Sequence, residues 1–478
     1  MSTDITHRVA VVGAGPAGVY AADIIARSEH GEQIAIDLFD RYPAPFGLIR
    51  YGVAPDHPRI KGIIKALHKV MDRGGIRFIG NVDFGTDITL AELQEHYDAV
   101  IFSTGAIDDA ALNIEGIDLE GSFGAADFVS WYDGHPDYPR EWPLEAKEIA
   151  VIGNGNVALD VARVLSKHAD DLLTTEIPDN VYQGLKASPV TDVHVFGRRG
   201  PAQVKFTPLE LRELAHSHDV DIVLHPEDFE FDAGSDEAIR SNNQVKTMVN
   251  TLTNWLVEQE EREEDPEHRP ASRRLHLHFL QSPVEILAGE GERAGKVDGI
   301  RLERQELDGT GNVRGTGEFL EYPVQAVYRA VGYFGSPLAD VPFDADRGVI
   351  PHEAGRVLGE DGHPLPGVYA TGWIKRGPVG LIGHTKGDAL ETVGCLLEDL
   401  PALPGRTGGG EEVDVVELLE SRGVEVTSWD GWLRLDDHER TLGAEYGELP
   451  DGSARERVKV VERAEMVGVS RSGSAVRV

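Results

Sequence analysis

The chain has a single cysteine, Cys395, in 478 residues. One thiol excludes an internal disulfide, a redox-active cysteine pair and an iron–sulfur cluster ligated by the chain's own cysteines. Its neighbourhood, LETVGCLLEDL, is rich in apolar residues, so it reads as a small buried hydrophobe rather than a nucleophile. There is no HExxH and no paired CxxC, which leaves no metal-binding motif and sets the metal expectation at none. Positive charge is scarce: 46 Lys+Arg stand against 82 Asp+Glu, a formal charge of −36. That balance argues against nucleic acid or an anionic membrane surface as the main partner. No apolar run is long enough to span a bilayer, and the opening MSTDITHRVA lacks the apolar core of a secretory signal. A cytoplasmic protein without membrane insertion is expected.

With 41% hydrophobic and 27% charged residues, the composition is that of a packed globular protein, and the length suits two or three domains. Residues 8–12, RVAVV, form a β-rich run. The glycine turn Gly13-Ala14-Gly15-Pro16-Ala17-Gly18 and an alanine-rich helix through Ala26 follow it. A second strand, residues 34–39, ends in Asp40, about 20 residues past the last glycine, where a βαβ unit places its ribose-binding acid. Such a turn lets backbone amides at a helix N-terminus approach a pyrophosphate. Asp40 would accept hydrogen bonds from ribose hydroxyls and repel a 2′-phosphate, so this site favours FAD or NAD over NADP.

A Pro- and Gly-studded segment, RYPAPFGLIRYGVAPDHPRIKG, precedes a helix carrying Ile63, Ile64, Leu67 and Val70, and then the buried strand 99–102 leading into Ser103-Thr104-Gly105-Ala106. The pattern loosens over 108–147. A second unit opens with the strand 147–152, the turn Gly153-Asn154-Gly155-Asn156-Val157-Ala158 and an amphipathic helix. Its next strand, 193–196, ends in Gly197-Arg198-Arg199-Gly200 with no acid. Two arginines there can clamp a 2′-phosphate with charge-assisted hydrogen bonds, which selects NADP. Residues 229–272 read as solvated helix and loop, 273–330 as strands with a hairpin around LDGTGN, and 366–383 as strand, glycine-rich loop and approach to a helix. GRTGGG at 405–410 reads as a flexible joint before an acidic segment with helical patches.

Three further residues carry weaker signals. Thr207-Pro208-Leu209-Glu210 is a capping box with proline at the first helical position, which gives Glu210 a structural reason to be there. Glu213, one turn on, has no capping role and can face a cleft. His57, in APDHP, reads as a local hydrogen-bonding residue more readily than as a catalyst.

Together GAGPAG at 13–18, RYGVAPDHPRIKG at 50–62, GNGNVALDVARVL at 153–165, FGRRGPAQVKFTPLELREL at 196–214 and GWIKRGPVGLIGHTKGDA at 372–389 strongly resemble the adrenodoxin-reductase-type ferredoxin–NADP reductases, over most of residues 7–395. The resemblance implies an α/β fold of two Rossmann-like dinucleotide-binding domains, the NADP domain inserted into a discontinuous FAD domain. The boundaries expected are 1–107 and 330–404 for FAD and 108–329 for NADP, with 405–478 an acidic extension of no assigned role. It implies that Asp40, Leu48 and Val82 contact FAD beside the glycine turn. Trp373 and Gly380, Leu381 and Ile382 would lie along the flavin, with Gly380 also meeting NADP. Asn154 to Val157, Arg198, Arg199 and Glu210 match NADP-binding positions, and His57 and Glu213 match residues near flavin and nicotinamide. One departure is Ile107-Asp108-Asp109-Ala110, where some relatives carry an arginine able to meet NADP phosphate.

The expected activity is FAD-mediated hydride transfer from NADPH, followed by one-electron transfer to a ferredoxin-type iron–sulfur protein. An acidic ferredoxin would need a basic patch on this acidic chain. Arg50, Arg59, Lys61 and Lys65 are the candidates. Two alternatives remain open on sequence: an FAD- and NADPH-dependent monooxygenase, and a flavin-binding redox sensor without turnover. A disulfide reductase is excluded by the lone cysteine.

Overall fold

A computed structural model of the chain describes residues 5–380, 382–405, 413–449 and 452–473. Leu381 and the Gly-rich tract after Gly405 lie outside the described residues. The chain divides into two compact units. The first runs to Asp108, takes in Asp133–Pro136 and resumes at Tyr333; the second is Asp109–Tyr132 with Asp137–Gly332.

The first unit is built on a seven-stranded sheet. Its order is His352–Glu353, Arg356–Leu358, Pro364–Ala370, Ala99–Phe102, His7–Val12, Ile34–Phe39 and Ile76–Ile79. The last five run parallel, with helices on the faces, so Val9, Ala10, Val11 and Val100 to Phe102 are wholly buried and the strands read as unbroken apolar runs. From His7–Val12 the chain pairs with Ile34–Phe39 on one side and with Ala99–Phe102 on the other. This reversal opens a crevice at the strand's carboxyl end, where open α/β sheets bind ligands. The tail is part of the core: Trp432, Leu435, Val460 and Met466 pack in one cluster with Val19, Phe46, Ile49 and Tyr51. A buried ion pair reinforces this, Arg50 Nη1 and Nη2 donating to Glu439 at 3.0 and 2.5 Å.

The second unit has a six-stranded, all-parallel sheet in the order Ser122–Gly124, Ala326–Arg329, Glu148–Ile152, Asp192–Phe196, Arg273–His278 and Val220–Leu224. Glu148–Ile152 again sits where the strand order reverses. An antiparallel sheet of Gln281–Ala288, Val297–Leu307 and Val313–Tyr322 packs Ile286, Val297, Ile300 and Leu302 onto Ala150, Ile152 and Phe196. Its hairpin turns at Asp308–Asn312, where Asp308 N–H donates to the Asn312 carbonyl at 2.9 Å. The charged stretch contains a 22-residue helix, Asn243–Glu264, capped by the Asn242 side chain. The loosely patterned segment 108–147 holds a helix the sequence pattern does not announce, Ala125–Tyr132.

Candidate functional site

Three glycines shape the first turn, and they serve different ends. Gly13 has φ +107°, and a Cβ there would meet the Ser103 carbonyl oxygen at 2.6 Å; a Cβ on Gly18 would lie 1.9 Å from the Gly13 oxygen. Both are demanded by the backbone's own packing. Ser103, whose hydroxyl donates to the Gly13 and Val12 carbonyls at 2.8 and 3.0 Å, locks the turn to the neighbouring strand. Gly15 is different: its Cβ would find nothing nearer than 3.9 Å. It keeps clear the space in front of helix Pro16–Ala26, which starts at Gly15 without a side-chain cap. Uncapped amides, a helix dipole and free space are the requirements of a pyrophosphate cradle.

Asp40, 9% exposed, is bound into that turn. Its Oδ2 accepts from Ala14 N–H at 2.8 Å and its Oδ1 from Tyr42 N–H at 2.9 Å, while Val82 N–H donates to its carbonyl at 2.9 Å. Burial pushes the carboxyl up to about 6, against the pull of the Tyr42 and Ala14 amides and of Arg463. Each carboxylate oxygen keeps lone-pair capacity for a hydroxyl donor. The loop before Leu48 closes over the turn: Phe46 N–H donates to the Ala14 carbonyl at 2.8 Å, and a Cβ on Gly47 would come within 3.1 Å of Gly15 Cα. Leu48 opens the short helix Leu48–Tyr51. Gly372, at φ +77°, approaches so closely that its Cβ would be 2.6 Å from that of Ala17. This brings half-buried Trp373 to the same helix. Asp388 holds the approach, accepting from Gly372 N–H at 2.5 Å and from the Thr371 hydroxyl at 3.0 Å, and is itself ion-paired with Lys375 at 3.1 Å. Gly380 is exposed at φ +88°, and Ile382 opens the helix that runs to Asp399. His57 is buried and precedes the turn Pro58–Lys61, its carbonyl accepting from the Ile60 and Lys61 amides.

In the second unit Gly153 has φ +144° and a Cβ there would meet the Ala330 oxygen at 2.3 Å, whereas a Cβ on Gly155 would meet nothing within 4 Å. The helix Asn156–Ser166 likewise starts without a side-chain cap. Asn154 and Asn156 tie the turn to the segment bearing Glu210: Lys205 N–H donates to the Asn154 carbonyl at 3.0 Å and Thr207 N–H to Asn156 Oδ1 at 2.9 Å. Val157 continues the helix. Gly197, at the end of the adjacent strand, lies against Asn154, its Cβ position 3.2 Å from Asn154 Cβ. Arg198, exposed, and Arg199, half-buried, follow directly. Neither side chain has an ion-pair or hydrogen-bond partner among the described residues. In so acidic a chain, two neighbouring guanidiniums without a carboxylate are able to hold an anion. Thr207 caps the helix Pro208–Leu214 by accepting from Glu210 N–H at 3.4 Å, Glu210 is buried, and Glu213 is half-buried one turn on.

Two expectations from sequence are corrected. Arg50 cannot join a docking patch, because it is buried against Glu439, and Lys61 is half-buried and paired with Asp133 at 3.2 Å. Of the four candidates, Arg59 and Lys65 remain exposed. Asp109, within the departing segment 107–110, caps the helix Ala125–Tyr132, both its oxygens 3.1 Å from Ala126 N. Ser103, Gly47 and Asp388 are supporting residues to which the sequence reading gave no role. Gly47 lies in the turn-rich PAPFGL, Ser103 at the end of the buried strand 99–102 and Asp388 in the string 372–389.

A family model described as "Pyridine nucleotide-disulphide oxidoreductase" matches residues 7–244. The chain is 40% identical over 481 residues to the NADPH-ferredoxin reductase FprA of Mycobacterium tuberculosis, covering 97% of this chain and 99% of that protein. It is 37% identical to the mitochondrial NADPH:adrenodoxin oxidoreductase of Arabidopsis thaliana, covering 91% of each. The solved structure of Mycobacterium tuberculosis FprA in complex with NADPH superposes with a TM-score of 0.85 at 38% identity, covering 97% of this chain and 99% of that one.

Proposed function

Because this chain belongs to the adrenodoxin-reductase-type ferredoxin–NADP reductases, we propose that it moves electrons from NADPH through FAD to a ferredoxin-type iron–sulfur protein. The observation that carries the reading is the pairing of two uncapped glycine turns with opposite charge beside them, Asp40 at one and the unpartnered Arg198 and Arg199 at the other. Bound there, FAD would supply the chemistry that joins a two-electron nicotinamide donor to a one-electron carrier.

The chain's own residues bind, orient and exclude water. We assign the FAD pyrophosphate to Gly13, Ala14, Gly15, Ala17 and Gly18, its ribose to Asp40, and its remaining contacts to Leu48, Val82, Trp373, Gly380, Leu381 and Ile382. The open space at Gly15 and the closeness of Gly372 to Ala17 support this. We assign NADPH to Gly153, Asn154, Gly155, Asn156, Val157, Glu210 and Gly380, with its 2′-phosphate on Arg198 and Arg199. His57 and Glu213 set position and polarity near the reacting rings and form no bonds to them. A single buried cysteine cannot hold an iron–sulfur cluster, so the one-electron carrier is a separate protein. Among the described residues no helix is long and apolar enough to cross a membrane. A cytoplasmic location is part of the same proposal, since a diffusible nicotinamide donor is available there.

The test is anaerobic mixing with NADPH, followed by oxidised ferredoxin. Bleaching of the flavin band and its return on ferredoxin addition are expected. Failure of NADPH to bleach the flavin would overturn the enzyme reading in favour of a sensor. Oxygen consumption triggered by an organic substrate, without ferredoxin reoxidation, would replace it with a monooxygenase.

A further inference from the structure

A row of imidazoles that the proposed reaction does not use crosses one face of the second unit's parallel sheet. His194 lies on Asp192–Phe196, and His276 and His278 lie on the adjoining strand Arg273–His278, with His276 and His194 in direct register. Residues two apart on a strand share a face, so His276 and His278 both project beside His194. The ligand-capable nitrogens of the three lie within 4.8 Å of one another. His194 Nδ1 and His278 Nε2 are 3.0 Å apart. His276 Nε2 is 2.9 Å from Asp192 Oδ1. His225 stacks on the far side of His278 with ring centroids 4.3 Å apart, and Tyr322 of the antiparallel sheet lies 5.0 Å from His278 and 5.8 Å from His194.

We propose that His194, His276 and His278 form a binding site for a late first-row divalent metal ion, with zinc as its most suitable occupant. Three histidines, two of them at i and i+2 on one strand and the third on its neighbour, supply the all-imidazole donor set that zinc takes with a fourth position left to water. Ligand nitrogens of a tetrahedral zinc, at about 2.0–2.1 Å from the metal, stand roughly 3.3 Å apart. The His194–His278 separation needs to open by only a few tenths of an ångström. Asp192 plays the carboxylate that orients a metal-bound imidazole through its other nitrogen. The proton shared between His194 and His278 moves to the second nitrogen of its own ring as the metal enters, and His276 turns off the face of His194 to present Nδ1. Nδ1 of His278 is buried with no hydrogen-bond partner among the described residues, so the fold does not use up the polar capacity of this ring. The site ties two strands of the parallel sheet beneath the antiparallel one and takes no part in the electron path.

The test uses untagged, flavin-loaded full-length protein dialysed against chelator and then against zinc. One zinc per chain is expected. His276→Asn should weaken uptake at least tenfold while flavin content and NADPH bleaching are retained. His216→Asn with His218→Asn, both exposed, should leave uptake unchanged. X-ray absorption on the zinc-loaded wild-type protein supplies a readout that depends on no variant folding. Three imidazole nitrogens at about 2.0 Å support the site, and a shell with fewer than three imidazoles overturns it. Uptake well below one zinc per chain, or uptake insensitive to His276→Asn, overturns it as well. Each readout is independent of the ferredoxin reaction, so a failed reductase assay would leave the metal site standing.

Discussion

Replacing Arg198 and Arg199 with alanine, singly and together, tests the nucleotide preference most directly. Neither guanidinium is engaged with a carboxylate among the described residues, so truncation strands no buried charge and the fold should be unaffected. A hydrogen bond to a charged group is worth about 1.5–3 kcal/mol. Exposed Arg198 belongs at the lower end because solvent and salt screen it, and half-buried Arg199 at the upper end. Together they come to about 4.5 kcal/mol, or roughly a 2,000-fold loss in kcat/KM for NADPH. NADH carries no 2′-phosphate and should lose less than about threefold. Steady-state reduction of ferricyanide with each nucleotide, at two ionic strengths, reads both values. The wild-type preference for NADPH should shrink as salt is raised, and that of the double variant should not. Equal losses for NADPH and NADH, or a salt-independent preference, would remove these arginines from the phosphate site.

The two kinds of glycine give a paired test. Gly155→Val, at φ −105° in open space, should keep flavin and thermal stability yet raise the NADPH dissociation constant at least tenfold, whereas Gly153→Ala, at φ +144° against the Ala330 oxygen, should fail to give folded protein; equal behaviour in titration and melting would refute the division of roles. Asp40, raised to about 6 by burial, has a folded value above its unfolded one, so its favourable contribution is full below about pH 4 and is lost as pH rises through 6, by roughly 3 kcal/mol. Denaturation of flavin-free protein across pH 4–7 should therefore show a fall in stability that Asp40→Asn removes; identical slopes in the two proteins would contradict it. Glu439→Ala removes the carboxylate that pairs with buried Arg50, a change worth about 3–5 kcal/mol. At about 2–4 °C per kcal/mol for a domain of this size, flavin release on heating should move down by about 6–20 °C, and a shift under about 2 °C would show that Arg50 finds another partner.

Local chemistry decided what could be read from the sequence alone. Gly13, Gly15, Gly18 and Asp40 lie within one βαβ unit, as do Gly153, Gly155, Arg198 and Arg199 within another. Each set is positioned by strand, turn and helix periods that short stretches of chain specify by themselves. The single cysteine removed whole classes of redox chemistry for the same reason, since composition needs no fold. Tertiary structure decided whatever depends on contacts distant in the chain. Arg50 reads as an exposed basic residue until Glu439, 389 positions away, proves to be its partner. The tail that looked like an extension supplies Trp432 and Met466 to the first core because its apolar residues have a face to cover. Ser103 and Asp388 lie in segments the sequence singles out, yet hold the glycine loops only because neighbouring strands and helices bring them there. The histidines were invisible as a group for the same reason: VHV and HLH are ordinary strand fragments until parallel pairing sets His194 beside His276. Strand register, which no local pattern encodes across 82 residues, converts three scattered imidazoles into one donor set.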